Sequence, residues 1–211
     1  IWSCTLNKSK NMNRNIIAIL RGVKPKEVLD IAHVIVKAGI SQVEVPLNSP
    51  SAFESIELLR DEFEGSIQFG AGTVTDIKQV EVLAKIGVNF IVSPNFNPDV
   101  VKATKEANIL SYPGVITPTE CFSAIHCGAD GLKFFPASLI GEDNLIALKA
   151  VLPSDMPLFM VGGVGPKNFS SWIKAGATGF GIGSGLYKAG ESPNIVSKKA
   201  ESIVLAYDEA Q

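Results

Sequence analysis

The feature that most constrains this chain is a rhythm. A short apolar segment, a few turn residues and an amphipathic helical pattern recur from one end to the other. Strand-like segments fall at IIAILR (16–21), QVEVPL (42–47), QFGAGTV (68–74) and NFIVSPN (89–95). They continue at ILSYPGV (109–115), GLKFFPA (131–137), PLFMVGG (157–163) and GFGIGSGL (179–186). Between them run helical patterns such as PKEVLDIAHVIVKAG and DIKQVEVLAKIG, closed by glycine as a helix stop should be. Strands that alternate with helices are joined by crossovers and therefore lie parallel. Eight such units predict an α/β fold, a closed (β/α)8 TIM barrel in a single domain. An open doubly wound sheet is the alternative, but the first strand runs into LRGVKP and not into a GxGxxG turn. Residues 1–14 are expected to be an N-terminal extension, with the barrel spanning 15–211.

Length and charge fit that expectation. The chain has 211 residues, enough for one sizeable core, with 46% hydrophobic and 19% charged residues. Its net charge of -2 argues against a nucleic-acid surface, which needs a concentrated positive field. Cys4, Cys121 and Cys127 make neither a disulfide framework nor a zinc-ligand spacing, and a reducing cytoplasm is the expected setting. IWSCTLNKSKNMNRN lacks the apolar run of a signal peptide, and no stretch is long enough to cross a bilayer. The chain opens on Ile rather than Met, and Met12 is a candidate natural start.

Lys133 breaks the apolar pattern. It lies between Leu132 and Phe134, where an ammonium loses water unless it is paired or neutral. Side chains alternate along a strand, and a barrel's active site lies at the C-terminal ends of its strands. With Leu132 and Phe134 against the helices, Lys133 and Phe135 face inward. With Val43 and Val45 against the helices, Glu44 faces inward as well. Arg21 ends the first strand on the face of Ile17 and Ile19, and Thr73 ends the third on the face of Ala71. Four polar side chains are thus expected at one end of the barrel.

A purely structural Lys–Glu pair is the plain alternative, but desolvation makes such a pair a poor source of stability. A desolvated lysine offers a neutral amine to a carbonyl, and Glu44 can move protons as an imine forms and breaks. VGGVGPKN (161–168) and GIGSGLY (181–187) follow strands seven and eight, where barrels often bind phosphate on exposed backbone N–H groups. Pro94 and Asn95 shape the end of strand four, Phe135 is expected as a pocket wall, and Trp172 as core. His33 and His126 fall in helical patterns, away from any acidic or cysteine cluster, so no metal site is expected.

The set AILRG (18–22), VEVPLNSP (43–50), GAGTV (70–74), LKFFPAS (132–138) and VGGV (161–164) resembles the class I aldolases acting on 2-keto-3-deoxy-6-phospho sugar acids. The likeness runs from about Asn15 to the end. It implies that Lys133 forms the Schiff base and Glu44 is the acid/base. It further implies that Arg21 and Thr73 hold the pyruvate-end carboxylate and nearby oxygens, that Gly162, Gly163, Gly183 and Ser184 bind the phosphate end, and that Val161 lies beside the substrate, with Pro94 and Phe135 expected to shape the pocket. The reaction needs no cofactor and no metal, because the iminium is the electron sink. The substrate is a small molecule, and the family tends to form homotrimers. The gluconate branch commonly has Arg in place of Asn48 and Thr in place of Val161, so VPLNSP, LKAVLPSD (148–155) and SGLYKAGES (184–192) are closer to the galactonate branch. Loss of a hydroxyl at Val161 is a plausible discriminator between epimers. The rival readings are a metal-dependent sugar-phosphate epimerase or isomerase, a pyridoxal phosphate enzyme, and a non-catalytic sugar-phosphate sensor.

Overall fold

The structure is a computed structural model and describes residues 14–211. Apart from Arg14, the expected N-terminal extension lies outside the described residues, as do Cys4 and Met12. The first half of the chain runs β1 (Ile16–Ile19), α1 (Pro25–Ala38), β2 (Gln42–Pro46), α2 (Ala52–Phe63), β3 (Gln68–Gly72), α3 (Ile77–Ile86), β4 (Phe90–Val92) and α4 (Pro98–Glu106). The second runs β5 (Leu110–Tyr112), β6 (Gly114–Val115), α5 (Pro118–His126), β7 (Leu132–Phe134), α6 (Ala137–Lys149), β8 (Leu158–Val161), α7 (Phe169–Ala175), β9 (Gly179–Ile182) and α8 (Pro193–Ala210). Proline opens α1, α4, α5 and α8, where its missing N–H is no loss. The two expected helix stops, Gly39 and Gly87, take the left-handed conformation at φ 103° and 85°.

All strand pairings are parallel, in the order β5-β4-β3-β2-β1-β9-β8-β7-β6. The segment expected as one fifth strand is two, divided at Pro113, which has no N–H to give a ladder. Its first part pairs with β4 and its second with β7, so the two ends of the sheet are consecutive pieces of one stretch. Bonds across the break complete the ring. Gly114 N–H donates to the Asn95 carbonyl at 3.3 Å, and Lys133 N–H donates to the Pro113 carbonyl at 2.9 Å. The result is the (β/α)8 barrel that eight repeated units predicted.

Two cores lie on either side of this sheet. Val43, Val45, Ala71, Leu132 and Phe134 pack outward with helix residues such as Ile31 and Ile35. Ile17, Ile19, Phe90, Val92, Tyr112, Phe159 and Val161 fill the barrel itself. Trp172 is buried on α7, as expected. His33 sits on the surface beside Glu62 at 3.0 Å, and His126 ends α5. Below the barrel the Arg14 guanidinium grips the Asp208 carboxylate on α8 with two bonds of 2.7 Å, tying the chain's entry to its last helix. Among the described residues, no helix is long and apolar enough to cross a membrane.

Candidate active site

Strand alternation delivers Glu44 and Lys133 to the interior. Their neighbours Val43, Val45, Leu132 and Phe134 are all 0% exposed in the outer core, whereas Glu44 is 2% and Lys133 5% exposed. Both backbones are pinned, since the Glu44 carbonyl accepts from Leu20 N–H at 2.9 Å and Lys133 N–H is held by Pro113. No N–O approach within 4 Å closes the two charges into a contact ion pair among the described residues. Burial pushes the Lys133 ammonium's pKa down, with Arg21 adding to that push and Glu44 opposing it. Burial likewise pushes the Glu44 carboxyl up, against the pull of Lys133 and Arg21. The Phe135 ring lies 4.8 Å from Lys133 Nζ and shields that amine on one side.

Glu44 has its place because β3 leaves room for it. The inward positions of β3 are Gly70 and Gly72, and a Cβ built on Gly72 would overlap the Glu44 carboxylate. This corrects the expectation that Thr73 and Ala71 share the inward face. Ala71 packs against the helices, and Thr73 lies beyond the strand end at φ 59°, where two-residue alternation no longer holds. Gly72 carries no side chain to announce its orientation, so only the inward register of Glu44 on the adjacent strand could have signalled it.

A cavity of about 400 Å³ opens beside the pair. Arg21, Phe135, Val161, Gly162, Gly163, Gly183 and Ser184 line it, as do the inward residues Ile19 and Gly181. Neither Lys133 nor Glu44 is part of this wall, but Ile19 is the register partner of Glu44 and the Phe135 ring lies against Lys133 Nζ. Thr73 and Pro94 are half-buried and stand at the same end of the barrel, after β3 and β4, but outside this wall. The Pro94–Asn95 backbone packs instead on Gly114, at the closure of the ring. Arg21 Nη1 donates to Asn48 Oδ1 at 2.9 Å, which ties the ends of β1 and β2.

Tyr187 and Lys188 also line the cavity, although the sequence reading gave neither a role. Tyr187 is buried and its hydroxyl donates to Glu27 Oε1 at 3.1 Å, fixing the turn after β9 to α1. Its pKa is pushed up to about 12, first by burial and then by Glu27. An aromatic two residues past a glycine turn was the available signal. Among the described residues, no three His, Cys, Asp or Glu side chains gather as metal ligands would.

A buried amine, a buried acid and an adjoining cavity edged by glycine turns suit imine chemistry on a small keto acid with an anionic tail. Comparison with known proteins agrees. A probable 2-dehydro-3-deoxy-6-phosphogalactonate aldolase of Rhizobium meliloti (strain 1021) is 43% identical over 197 residues, 93% of each chain. A 2-dehydro-3-deoxy-6-phosphogalactonate aldolase of Escherichia coli (strain K12) is 44% identical over 195 residues, 92% of this chain and 95% of that one. The solved structure of native KDPGal superposes with a TM-score of 0.91 at 42% identity, covering 99% of this chain and 98% of the other. The aldolase family of KDPG and KHG aldolases matches residues 8–200. By fold, by site and by sequence, the chain belongs to the KDPG and KHG aldolase family.

Proposed function

We propose that this protein is a class I aldolase that cleaves 2-dehydro-3-deoxy-6-phosphogalactonate to pyruvate and D-glyceraldehyde 3-phosphate. The observation that carries the reading is Lys133, a lysine 5% exposed whose amine is driven toward neutrality beside a buried Glu44. The neutral amine attacks C2 of the keto acid, and proton transfers through Glu44 expel the carbonyl oxygen as water, leaving an iminium. Removal of the C4 hydroxyl proton sends the C3–C4 bonding pair into the iminium. The aldehyde departs with C4 to C6 and its phosphate, and an enamine of pyruvate stays on Lys133. Protonation at C3 and hydrolysis of the imine return the amine and release pyruvate.

In this scheme Arg21, Thr73, Pro94 and Phe135 serve the pyruvate end. Val161, Gly162, Gly163, Gly183 and Ser184 serve the sugar and phosphate. Two relatives bearing the phosphogalactonate name, each matched over more than nine-tenths of both chains, support the galactonate substrate. Asn48 and Val161 point the same way, since the gluconate branch carries Arg and Thr there. The reading includes a homotrimer in the cytoplasm. Self-association is supported by Leu139, Ile146 and Val151, which leave 73%, 54% and 59% of their surface exposed on and just after α6.

Two measurements test the mechanism and the substrate. Pyruvate with borohydride should leave a reduced three-carbon adduct on Lys133, and a coupled assay should show faster pyruvate release from the galactonate epimer than from the gluconate epimer. Active protein with an unmodified Lys133 refutes the mechanism. Equal or faster turnover of the gluconate epimer refutes the substrate assignment alone.

A further inference from the structure

Two turns edge the cavity away from the β3–β4 arc, one after β8 and one after β9. In the second, Leu186 and Tyr187 N–H groups both donate to the Gly183 carbonyl, at 2.9 and 3.0 Å. The N–H groups of Ser184 and Gly185, within that turn, donate to no protein acceptor among the described residues. Both residues line the cavity. Unpartnered N–H groups in a turn form a concave anion cradle, but they carry only partial charges. A phosphate monoester brings about 1.5 to 2 negative charges at neutral pH.

Two residues of the cavity wall carry a full positive charge, Arg21 and Lys188. Arg21 belongs to the other end. Its guanidinium is bonded to Asn48 after β2, and its field acts on Glu44 and Lys133. Lys188 directly follows the Gly183–Tyr187 turn, and its ammonium enters no ion pair among the described residues. The nearest acid in sequence, Glu191, is already committed. Its two oxygens accept from Lys199 Nζ at 2.6 and 2.7 Å, and Oε2 also accepts from the Lys188 backbone N–H at 3.0 Å. Glu191 therefore fixes the Lys188 backbone and pairs at contact distance with Lys199, while the Lys188 charge acts on it only from farther off. With Tyr187 anchored to Glu27, the ammonium rides on a backbone held from two sides.

Resting on the aldolase reading above, we propose that Lys188 is a specificity residue for the phosphate arm, its ammonium supplying the unit positive charge that favours a phosphorylated aldehyde fragment over an unphosphorylated one. The cradle N–H groups orient the phosphate, and Lys188 neutralises it at the cavity's edge. Hydrogen bonds to charged groups are strong enough for about a tenfold preference.

The test runs the reaction toward synthesis, with pyruvate and either D-glyceraldehyde 3-phosphate or D-glyceraldehyde as acceptor. The readout is the ratio of kcat/KM between the two acceptors. Lys188→Gln should lower that ratio by about tenfold, through KM for the phosphorylated acceptor, and Lys188→Arg should restore most of it. Raising ionic strength from ~0.05 M to ~0.5 M should erode the parent's ratio and leave that of the glutamine variant flat. A Lys188→Gln protein that still traps pyruvate on Lys133 and keeps the parent's ratio overturns the proposal. A parent protein that neither traps pyruvate nor forms product overturns the aldolase reading first, and the proposal with it.

Discussion

Replacing Gly72 with alanine adds one carbon where Glu44 has its carboxylate. A Cβ at Gly72 overlaps Oε1 and Cδ of Glu44 and comes within 3.0 Å of its Cγ. The backbone itself accepts alanine, because Gly72 is regular strand and carries no left-handed φ. Fewer unfolded conformations then favour the variant by about 0.4–1 kcal/mol, while overpacking costs about 1–3 kcal/mol. The groups that must yield are the far end of a flexible side chain, so the low part of that range applies. With overpacking of about 1–2 kcal/mol, a net loss of roughly 0–1.6 kcal/mol leaves a folded protein, since domains hold about 5–15 kcal/mol. At about 2–4 °C per kcal/mol for this size, Tm should fall by less than about 7 °C. Activity is a different matter. Displacing the acid/base forfeits its contribution of about 10²–10⁴-fold, or roughly 2.7–5.4 kcal/mol at 1.36 kcal/mol per decade. Pyruvate release should therefore fall at least a hundredfold in a protein that stays folded at the assay temperature. Glu44→Gln should cost about as much, and the double variant little more than either, because both changes act through one carboxylate. Full activity in folded Gly72→Ala protein, or losses that multiply in the double variant, would refute the reasoning.

Three further expectations follow from named contacts. Pyruvate adduct formation needs the neutral amine, so its rate falls as pH drops through the lowered pKa of Lys133; Glu44 raises that pKa and Arg21 lowers it, so Glu44→Gln should move this limb to lower pH and Arg21→Gln to higher. Shifts of one sign in both variants would contradict the assignment. Val161→Thr restores a hydroxyl in the cavity wall and should improve kcat/KM on the gluconate epimer relative to the galactonate by about tenfold, read in the same coupled assay. Arg14→Gln removes the partner whose hydrogen bonds hold Asp208 below its usual range. Because the pair is part-exposed, the loss is about 1 kcal/mol at neutral pH, and the gap from parent should vanish as pH falls below ~3.9 through the depressed Asp208 pKa, checked by thermal unfolding against pH.

What the sequence made legible was periodicity. Lys133 and Glu44 could be oriented because each is flanked by two apolar residues that belong to the outer core, and a period of two leaves the middle residue no other direction. The strand ends were less legible. GFGIGSGL reads as eight strand residues, yet β9 stops at Ile182 because the chain folds into the Gly183–Tyr187 turn, whose bonds are local. LKFFPA likewise leaves the ladder after Phe134, and Ala137 already begins α6. On β3 the phase itself misled, since the inward positions are the bare Gly70 and Gly72 while Ala71 faces the helices, and the positive φ of Thr73 then ends the alternation. Lys188 was illegible for another reason. A single exposed lysine in a loop looks like solvated surface until the turn before it and the acid after it are both placed.

The separation between Lys133 and Glu44 bears most on the chemistry. A contact ion pair would keep both groups charged, because each would hold the other's ionised form against desolvation. Here no such contact forms, and burial, the largest influence on both, pushes the amine's pKa down and the carboxyl's up against their mutual attraction. Each shift makes more accessible the form that addition to a carbonyl uses, a lone pair on the amine and a proton on the carboxyl. Arg21 reinforces the asymmetry, since its charge disfavours the ammonium while favouring the carboxylate, so it promotes the nucleophile and restrains the acid from becoming too weak. The spacing is set by backbone, with Glu44 held by β1 and by the bare surface of Gly72, and Lys133 held by Pro113. Pro113 splits a strand and leaves its carbonyl to anchor the lysine, so closing the barrel and positioning the nucleophile are one structural event.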